Sequence, residues 1–272
     1  MRCIYFLCIT IFVFDLKIAG AQGPKTPTSK IKSFKLGEEL EYKVRFSIFT
    51  VGKATVKIDD QYHMINSKLC YNVNAYGRTN GWISWLSKVD DVWGAYLNAE
   101  TLLPEVAYRK LKEGKYYRDE LVIFNHQASE VTVKYKKEMT DEYQSQNYKI
   151  PQNTKDLVSG FFHLRTIDFN NVHEGDTISI SGFYEDQIYS LSVIFVEREV
   201  IRTSLGKIPT FKLRPVIPNN SLFDGKNSVL CWISDDFNHI PVRVQAKMFI
   251  GSAGLELVGV RNLRNQLKVI SK

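Results

Sequence analysis

Two adjacent aspartates and a histidine form the arrangement in this chain that is best suited to acid–base chemistry. Asp235 and Asp236 lie between two strongly apolar segments, and His239 follows three residues after Asp236. Two carboxylates and an imidazole in one turn could hydrolyse a glycan or a peptide. The alternative is structural, because aspartates in turns commonly accept hydrogen bonds from backbone amides. The residue types favour the structural role.

Other kinds of catalytic site are not indicated. The five histidines show no paired spacing, and no cysteine lies near them, so the sequence predicts no metal site. Phosphate-binding loops, dinucleotide fingerprints and the Gly-x-Ser-x-Gly elbow are absent from the sequence. We therefore expect no cofactor, and we favour a protein that is not an enzyme.

Large aromatic side chains suggest a second kind of site, one that binds a ligand. Three tryptophans occur within twelve residues and could form a lip over an apolar cavity. Tryptophans also commonly cap the end of a core, which is the interpretation that we favour for these three. Two further aromatic residues are candidates for the same cavity. The candidate ligand-binding residues are Trp82, Trp85, Trp93, Phe161 and Trp232.

Strands must position these residues, because a period of two dominates the hydrophobic pattern. Apolar and polar residues alternate over Leu40–Ile48 and again over Val242–Ile250. Tyr, Phe and Trp are plentiful and favour strands over helices. The sequence predicts an all-β fold, namely a strongly curved antiparallel sheet of about ten to twelve strands that forms an open or half barrel.

One α-helix is predicted, over Lys155–Thr166. Thr154 is its expected N-terminal cap. Leu157, Phe161 and Leu164 share one helix face, and Val158 and Phe162 widen it. A single apolar helix in an all-β chain usually covers the open side of the sheet. We therefore expect this helix to cover the concave side and to bury Phe161 there.

The N-terminal residues have the features of a signal peptide. Arg2 gives a positive start, Ile4–Phe14 is an apolar segment, and Ala19-Gly20-Ala21 is typical of a cleavage site. We expect export to the periplasm or the cell envelope, with no transmembrane segment after cleavage. The predicted organisation is a signal peptide over residues 1–21, a linker over 22–33 and a single β domain over 34–265.

The charge of the chain is moderately positive, with a net value of +7. In an exported protein this value points less to nucleic acid than to anionic lipid or polysaccharide, or simply to solubility. The densest basic region runs from Arg109 to Arg118 and includes Lys134, Lys136 and Lys137. We interpret it as a solvated face in preference to the alternative, an anion-binding surface. The expected partners are a lipid or another apolar small molecule, or an envelope protein, and not nucleic acid.

A series of short motifs follows one another from Phe34 to Val260. They are Phe34-x-x-Gly37-Glu38-x-Leu40-x-Tyr42, Gly52-x-Ala54, Asp90…Tyr96…Thr101-Leu102-Leu103-Pro104, Asp156-Leu157-Val158-Ser159 with Leu164-Arg165, Trp232-Ile233-Ser234-Asp235-Asp236-x-x-x-Ile240-Pro241-Val242, and Gly251 ahead of Leu255. In this order they resemble a bacterial family of exported proteins, domain-of-unknown-function family 3108. The resemblance implies export and a mostly antiparallel β fold. It implies no established activity, so no catalytic residue is assigned from it.

Two functions are compatible with these features. The favoured one is an exported envelope protein that is not an enzyme and that binds an apolar or amphiphilic ligand, or a protein partner, in the concavity of the sheet. The alternative is a hydrolase of envelope glycan or peptide that uses Asp235, Asp236 and His239. An aromatic pocket without convergent acids would favour binding, whereas convergence of these three side chains in a cleft would favour hydrolysis.

Overall fold

The fold is one antiparallel sheet of fourteen strands. The computed structural model describes residues 32–81, 88–216, 227–249 and 251–271. The order of the strands across the sheet is β8-β7-β6-β5-β4-β3-β2-β1-β14-β13-β12-β11-β10-β9. This order confirms the predicted fold class, although the number of strands is higher than the sequence indicated.

The strands and helical segments alternate with short turns along most of the chain. The strands are β1 Glu39–Phe46, β2 Phe49–Ile65, β3 Lys68–Thr79, β4 Asp90–Asn98, β5 Pro104–Glu113, β6 Tyr116–Asn125, β7 Glu130–Lys136, β8 Gln144–Lys149, β9 Thr177–Tyr184, β10 Gln187–Thr203, β11 Gly206–Val216, β12 Val229–Ser234, β13 Pro241–Lys247 and β14 Ser252–Arg261. Between β8 and β9 lie the α-helix α1, Leu157–Leu164, and a 3₁₀ turn, Phe169–Asn171. No helix in the described ranges is both long enough and apolar enough to span a membrane.

The sheet curls until its two edge strands approach each other. The rings of Tyr148 on β8 and Phe183 on β9 have centroids 5.4 Å apart, although these two strands are the opposite edges of the sheet. The backbone of Lys155 bridges part of the gap, because its N–H donates to Ser181 at 2.9 Å and its carbonyl accepts from Phe183 at 2.8 Å. We call this junction the seam. Side chains and two backbone hydrogen bonds close it, rather than a ladder between β8 and β9.

Alternate turns lie at the same end of the sheet, because each strand runs antiparallel to its neighbours. We call the end with the β1–β2 turn the upper end. The β5–β6, β9–β10 and β13–β14 turns lie there as well. The β12–β13 turn lies at the lower end, together with the start of β1 and the connections that lead into α1 and out of it.

Helix α1 packs inside the curled sheet and is shorter than predicted. The carboxylate of Asp156 accepts the N–H groups of Val158 and Ser159, which caps the helix. The predicted span Lys155–Thr166 and the predicted cap Thr154 are wrong. The reason is that the backbone just before Asp156 pairs with β9 and is therefore extended rather than helical.

The buried face of α1 is only one side of the wide apolar face that the sequence predicts. Leu157 is 48% exposed and Phe161 is only partly buried, whereas Val158 and Phe162 are fully packed in the core. The Phe162 ring lies 4.9 Å from that of Phe34, centroid to centroid. Apolar residues occupy most positions of this two-turn helix, so periodicity alone does not identify the side that faces the sheet.

Candidate functional site

A small cleft lies on the inner face of the sheet beside the seam. Its volume is about 30 Å³, which is room for roughly one water molecule. Strands β4, β5, β6 and β9, the start of α1 and the β9–β10 turn supply its walls. We call it the seam cleft, and the residues that matter most for its chemistry are Trp93, Arg109, Glu120, Leu157, Tyr184 and Glu185.

Arg109 occupies the centre of the charged wall of the seam cleft. The pairing of β5 with β6 places Arg109 opposite Glu120. Its Nε lies 2.8 Å from Oε1 of Glu120, and its Nη2 donates to Oε2 at 3.0 Å. The guanidinium carbon lies 5.4 Å from the ring centroid of Trp93 and 4.8 Å from that of Tyr184. An ion pair and two aromatic faces therefore hold the arginine in place.

Two nitrogens of this guanidinium, Nε and Nη1, make no hydrogen bond, although the side chain is only 6% exposed. Nε is nevertheless held by its ion-pair contact with Glu120. Nη1 of Arg109 lies 3.6 Å from Oε1 of Glu185, which is beyond hydrogen-bonding distance. Burial lowers the pKa of Arg109, but the charge and hydrogen bond of Glu120 outweigh burial, so the pKa lies above its ordinary value. The arginine stays charged. It keeps an unused donor beside the cleft, where buried polar groups are normally satisfied.

A second arginine shares the same carboxylate. Nε of Arg118 donates to Oε2 of Glu120 at 2.8 Å, and the Arg118 guanidinium carbon lies 4.1 Å from the ring centroid of Tyr135. Its Nη2 lies 4.0 Å from Oδ2 of Asp186. Two arginines therefore face one buried carboxylate, which leaves an excess of positive charge. Glu185 and Asp186 offset this excess from across the seam.

The β9–β10 turn, which we call the acidic turn, presents both of these carboxylates. Glu185 and Asp186 have φ angles of 47° and 63°, in the left-handed region that residues other than glycine and asparagine rarely adopt. Both side chains are more than one-third exposed, and their ion pairs are long. Exposed pairs of this kind contribute about 0–1 kcal/mol each. The acidic turn therefore closes the seam only weakly.

The aromatic residues proposed from the sequence lie in different surroundings. Trp93 forms a wall of the seam cleft. Phe161 packs against the core around α1, and Trp232 lies on the outer face of β12 in a separate apolar cluster. Trp82 and Trp85 lie outside the described residues. Of the described candidates, Trp93 is the one that the structure places beside Arg109.

The structure brings Asp235 and Asp236 together in the β12–β13 turn and gives them structural contacts. Oδ1 of Asp236 accepts the N–H of Asn238 at 2.9 Å, and its Oδ2 accepts the N–H of Lys268 at 3.0 Å. Oδ2 of Asp235 lies 3.4 Å from Nη1 of Arg198. Both oxygens of Asp236 are therefore occupied by backbone donors, an arrangement that supports the structural alternative for this pair.

His239 contributes to a second buried arginine site, at the lower end. Its Nδ1 lies 2.9 Å from the backbone oxygen of Arg165. The Arg165 side chain is 1% exposed; it donates from Nη1 to Glu38 Oε1 at 2.6 Å, from Nε to the carbonyl of Asn238 at 3.0 Å, and from Nη2 to that of Ser33 at 2.9 Å. We call this cluster the clasp. It joins the segment before β1, the end of α1 and the β12–β13 turn.

The Arg109–Glu120 pair was not predicted from the sequence. The interpretation of the stretch from Arg109 to Arg118 as a solvated face is wrong for these two arginines, which face the interior. Two signals were available. Arg109 lies between Ala107 and Leu111 on one face of its strand, and a tight turn at Gly114 aligns it with a residue of opposite charge on β6.

Comparisons with known proteins agree with the fold. The model of the family "Protein of unknown function (DUF3108)" matches residues 41–258. No curated protein matches the chain significantly. A crystal structure of a beta-barrel-like protein of domain of unknown function DUF1849 from Brucella abortus is similar, with a TM-score of 0.54 at 10% sequence identity. The match covers 84% of this chain and 99% of that chain. At this identity the likeness shows a shared fold alone.

A second solved structure is described as a "putative lipoprotein" from Parabacteroides distasonis ATCC 8503. It matches with 12% identity over 87% of this chain and 100% of that chain, but its TM-score is 0.29. A likeness of that size carries no argument about fold or function. The family match is stronger evidence, because it covers most of the chain, from β1 to β14. The chain belongs to the DUF3108 family of proteins of unknown function.

Proposed function

We propose that this chain is an exported binding protein of the cell envelope, not an enzyme, and that it takes an amphiphilic ligand with an anionic group at the seam cleft. The observation that carries the proposal is the buried Nη1 of Arg109, which has no hydrogen bond and lies in a cleft with aromatic walls. A guanidinium recognises carboxylate or phosphate oxygens. Trp93 and Tyr184 offer an apolar surface to the rest of the ligand.

Binding requires the seam to open, because the cleft is small in the described state. Sites for drug-sized ligands measure about 300–1,000 Å³, whereas the seam cleft measures about 30 Å³. The seam lacks a ladder between β8 and β9, and the acidic turn spans it through weak ion pairs. When Glu185 and Asp186 move away, Arg109 and Arg118 share one carboxylate. The anionic group of the ligand then replaces the lost charges.

Export belongs to the proposal on sequence grounds, since residues 1–31 lie outside the described part of the chain. Ala19-Gly20-Ala21 motivates cleavage before Gln22. N-terminal sequencing of the mature protein from its native host tests this expectation. A mature chain that keeps Ile4–Phe14 would contradict export by cleavage.

Isothermal titration calorimetry with dodecanoate and dodecanol tests the proposed site. The two probes share one alkyl chain and differ in the carboxylate. We expect the wild type to bind dodecanoate about tenfold more tightly, because a charge-assisted contact worth about 1.4 kcal/mol gives that factor. Arg109→Gln should remove the preference. Arg198→Gln, at an arginine outside the cleft, is the matched control and should keep it.

Substitutions in the acidic turn should strengthen the binding of dodecanoate rather than weaken it. Glu185→Gln combined with Asp186→Asn removes the internal carboxylates that compete for Arg109 and Arg118, so dodecanoate should bind more tightly than to the wild type. Equal affinities of the wild type for both probes, or no measurable binding of either probe, would contradict the proposed function.

A further inference from the structure

Two neighbouring turns at the upper end expose large apolar side chains. Ile48 in the β1–β2 turn is 83% exposed, and Phe249, which follows β13, is 64% exposed. The two turns touch, because the N–H of Ser47 donates to the carbonyl of Ser252 at 2.7 Å. The pairing of β1 with β14 therefore places these apolar side chains on adjacent hairpins. Clustered exposed apolar groups mark interaction surfaces.

The hairpins that carry these side chains are basic and contain no acidic residue near their tips. Neither residues 42–58 nor residues 242–255 contain Asp or Glu, and together they contain six basic residues: Lys43, Arg45, Lys53, Lys57, Arg243 and Lys247. Such a concentration of one charge next to apolar tips is complementary to an anionic surface.

The cations on β1 and β2 have few internal partners. Lys43 lies directly opposite Lys53 in the β1–β2 pairing, and like charges at opposed positions destabilise a sheet. On its other side Lys43 opposes Glu256 of β14, but Nη2 of Arg243 already lies 3.1 Å from a Glu256 oxygen. An external anion beside Lys43 and Lys53 would reduce the repulsion between them.

We infer that this hairpin tip, formed by Ile48 and Phe249 with Arg45 and Lys53, docks on an anionic lipid surface. The apolar side chains project from turns rather than lining a groove, so they suit insertion between lipid head groups. Arg45 and Lys53 contact the phosphates around them. The inference goes beyond the proposed binding function, because it concerns a different surface and needs no ligand in the seam cleft.

Topology connects the two sites. The acidic turn at Glu185 and Asp186 also lies at the upper end of the sheet, because β9 runs in the same direction as β1. Docking through the hairpin tip therefore brings the upper end of the seam towards the membrane. An amphiphile could then pass between lipid and cleft over a short distance.

Co-sedimentation with vesicles tests the docking. The vesicles consist of phosphatidylcholine alone or of phosphatidylcholine and phosphatidylglycerol in equal amounts. The wild type should bind the mixed vesicles, and Ile48→Ser with Phe249→Ser should weaken this binding about tenfold or more. Phe237→Ser is the matched control, because Phe237 is also largely exposed but lies in the β12–β13 turn at the lower end. It should leave binding unchanged.

A second variant tests whether the docking requires the positive charges of the hairpin tip. Arg45→Gln with Lys53→Gln should lower binding to mixed vesicles to the level seen with phosphatidylcholine alone. The inference is overturned if the wild type binds neither vesicle, if it binds both equally, or if the Phe237 variant loses as much binding as the tip variant. Failure of the dodecanoate experiment would leave these outcomes unchanged, because no substituted residue is shared.

Discussion

Two buried arginines in this protein are in opposite situations. Arg165 in the clasp uses Nε, Nη1 and Nη2 as donors to Glu38, Ser33 and Asn238. Arg109 in the seam cleft is almost as buried but leaves Nη1 without a hydrogen bond. Burial of a charge therefore does not by itself define a role. The saturated arginine holds remote segments together, whereas the unsaturated one has a free donor at Nη1, which the proposed function assigns to a ligand.

The two arginine sites also differ in how firmly the groups around them are held. The clasp ties together three remote parts of the chain through carbonyl groups and one buried carboxylate. The seam cleft is bridged by the acidic turn, whose side chains are substantially exposed. We propose that the lower end stays closed while the upper end of the seam opens. The following substitutions test that contrast in order of expected effect.

Removing the clasp arginine should have the largest effect. Arg165→Met leaves Glu38 buried without its partner, which should lower the free energy of unfolding by about 3–5 kcal/mol. Urea denaturation measures the change. Arg109→Met is the matched variant and should lower it by only about 1 kcal/mol, because Glu120 keeps Arg118. Equal losses in the two variants would remove the distinction between the sites.

Removing the aromatic ring that packs against Arg165 should have the second-largest effect on stability. Phe162 is fully buried and lies 5.1 Å below the Arg165 guanidinium, ring centroid to guanidinium carbon. Phe162→Ala should therefore cost about 3–5 kcal/mol in chemical denaturation. Phe161→Ala should cost clearly less, since Phe161 is only partly buried. A larger loss of stability for Phe161→Ala than for Phe162→Ala would show that Phe161 lies on the buried side of the helix, as the sequence predicts.

The aspartates of the β12–β13 turn should show a smaller, graded effect. Asp236→Ala leaves two backbone N–H groups without an acceptor and should cost about 1–3 kcal/mol. Asp236→Asn keeps one acceptor oxygen and should cost less. Asp235→Ala should change the melting temperature least, because the Asp235 side chain forms a partly exposed ion pair with Arg198. A glycan or peptide cleaved by the wild type but not by Asp236→Asn would instead establish the hydrolase alternative.

The acidic turn should have the smallest effect on stability. Glu185→Gln with Asp186→Asn should change the free energy of unfolding by less than about 1 kcal/mol, because both ion pairs are long and both carboxylates are exposed. Denaturation at low ionic strength measures it. A loss comparable to that of Arg165→Met would show that the acidic turn fastens the sheet as firmly as the clasp does.

Much of the fold follows from local patterns. The alternation that begins at Val242 corresponds to β13, which ends at Lys247; Ile250, the last residue of the alternation, lies outside the described residues. A period of two is a property of consecutive residues, so strands and hairpins were predictable. The existence of the helix was predictable, but its ends and its cap were not. Its buried side was not predictable either, because Leu157, Val158, Phe161 and Phe162 surround it with apolar surface.

The two arginine sites were harder to predict for different reasons. Arg165 and Glu38 are separated by 127 residues, and no local pattern relates them, although both belong to motifs that resemble the family. The partners Arg109 and Glu120 are close in sequence, but the lysines around them suggested a solvated face. Only the curling of the sheet makes one side of that hairpin an interior.

Native-state hydrogen exchange tests the central contrast most directly. The amides of Lys155 and Phe183 close the seam, and the amides of Asn238 and Ile240 lie in the turn held by the clasp. We predict that the seam amides exchange through a local opening that becomes easier at about 1 M salt, where the screening length falls to about 3 Å. The clasp amides should exchange only by global unfolding. Equal opening free energies at both places, unaffected by salt, would contradict the account.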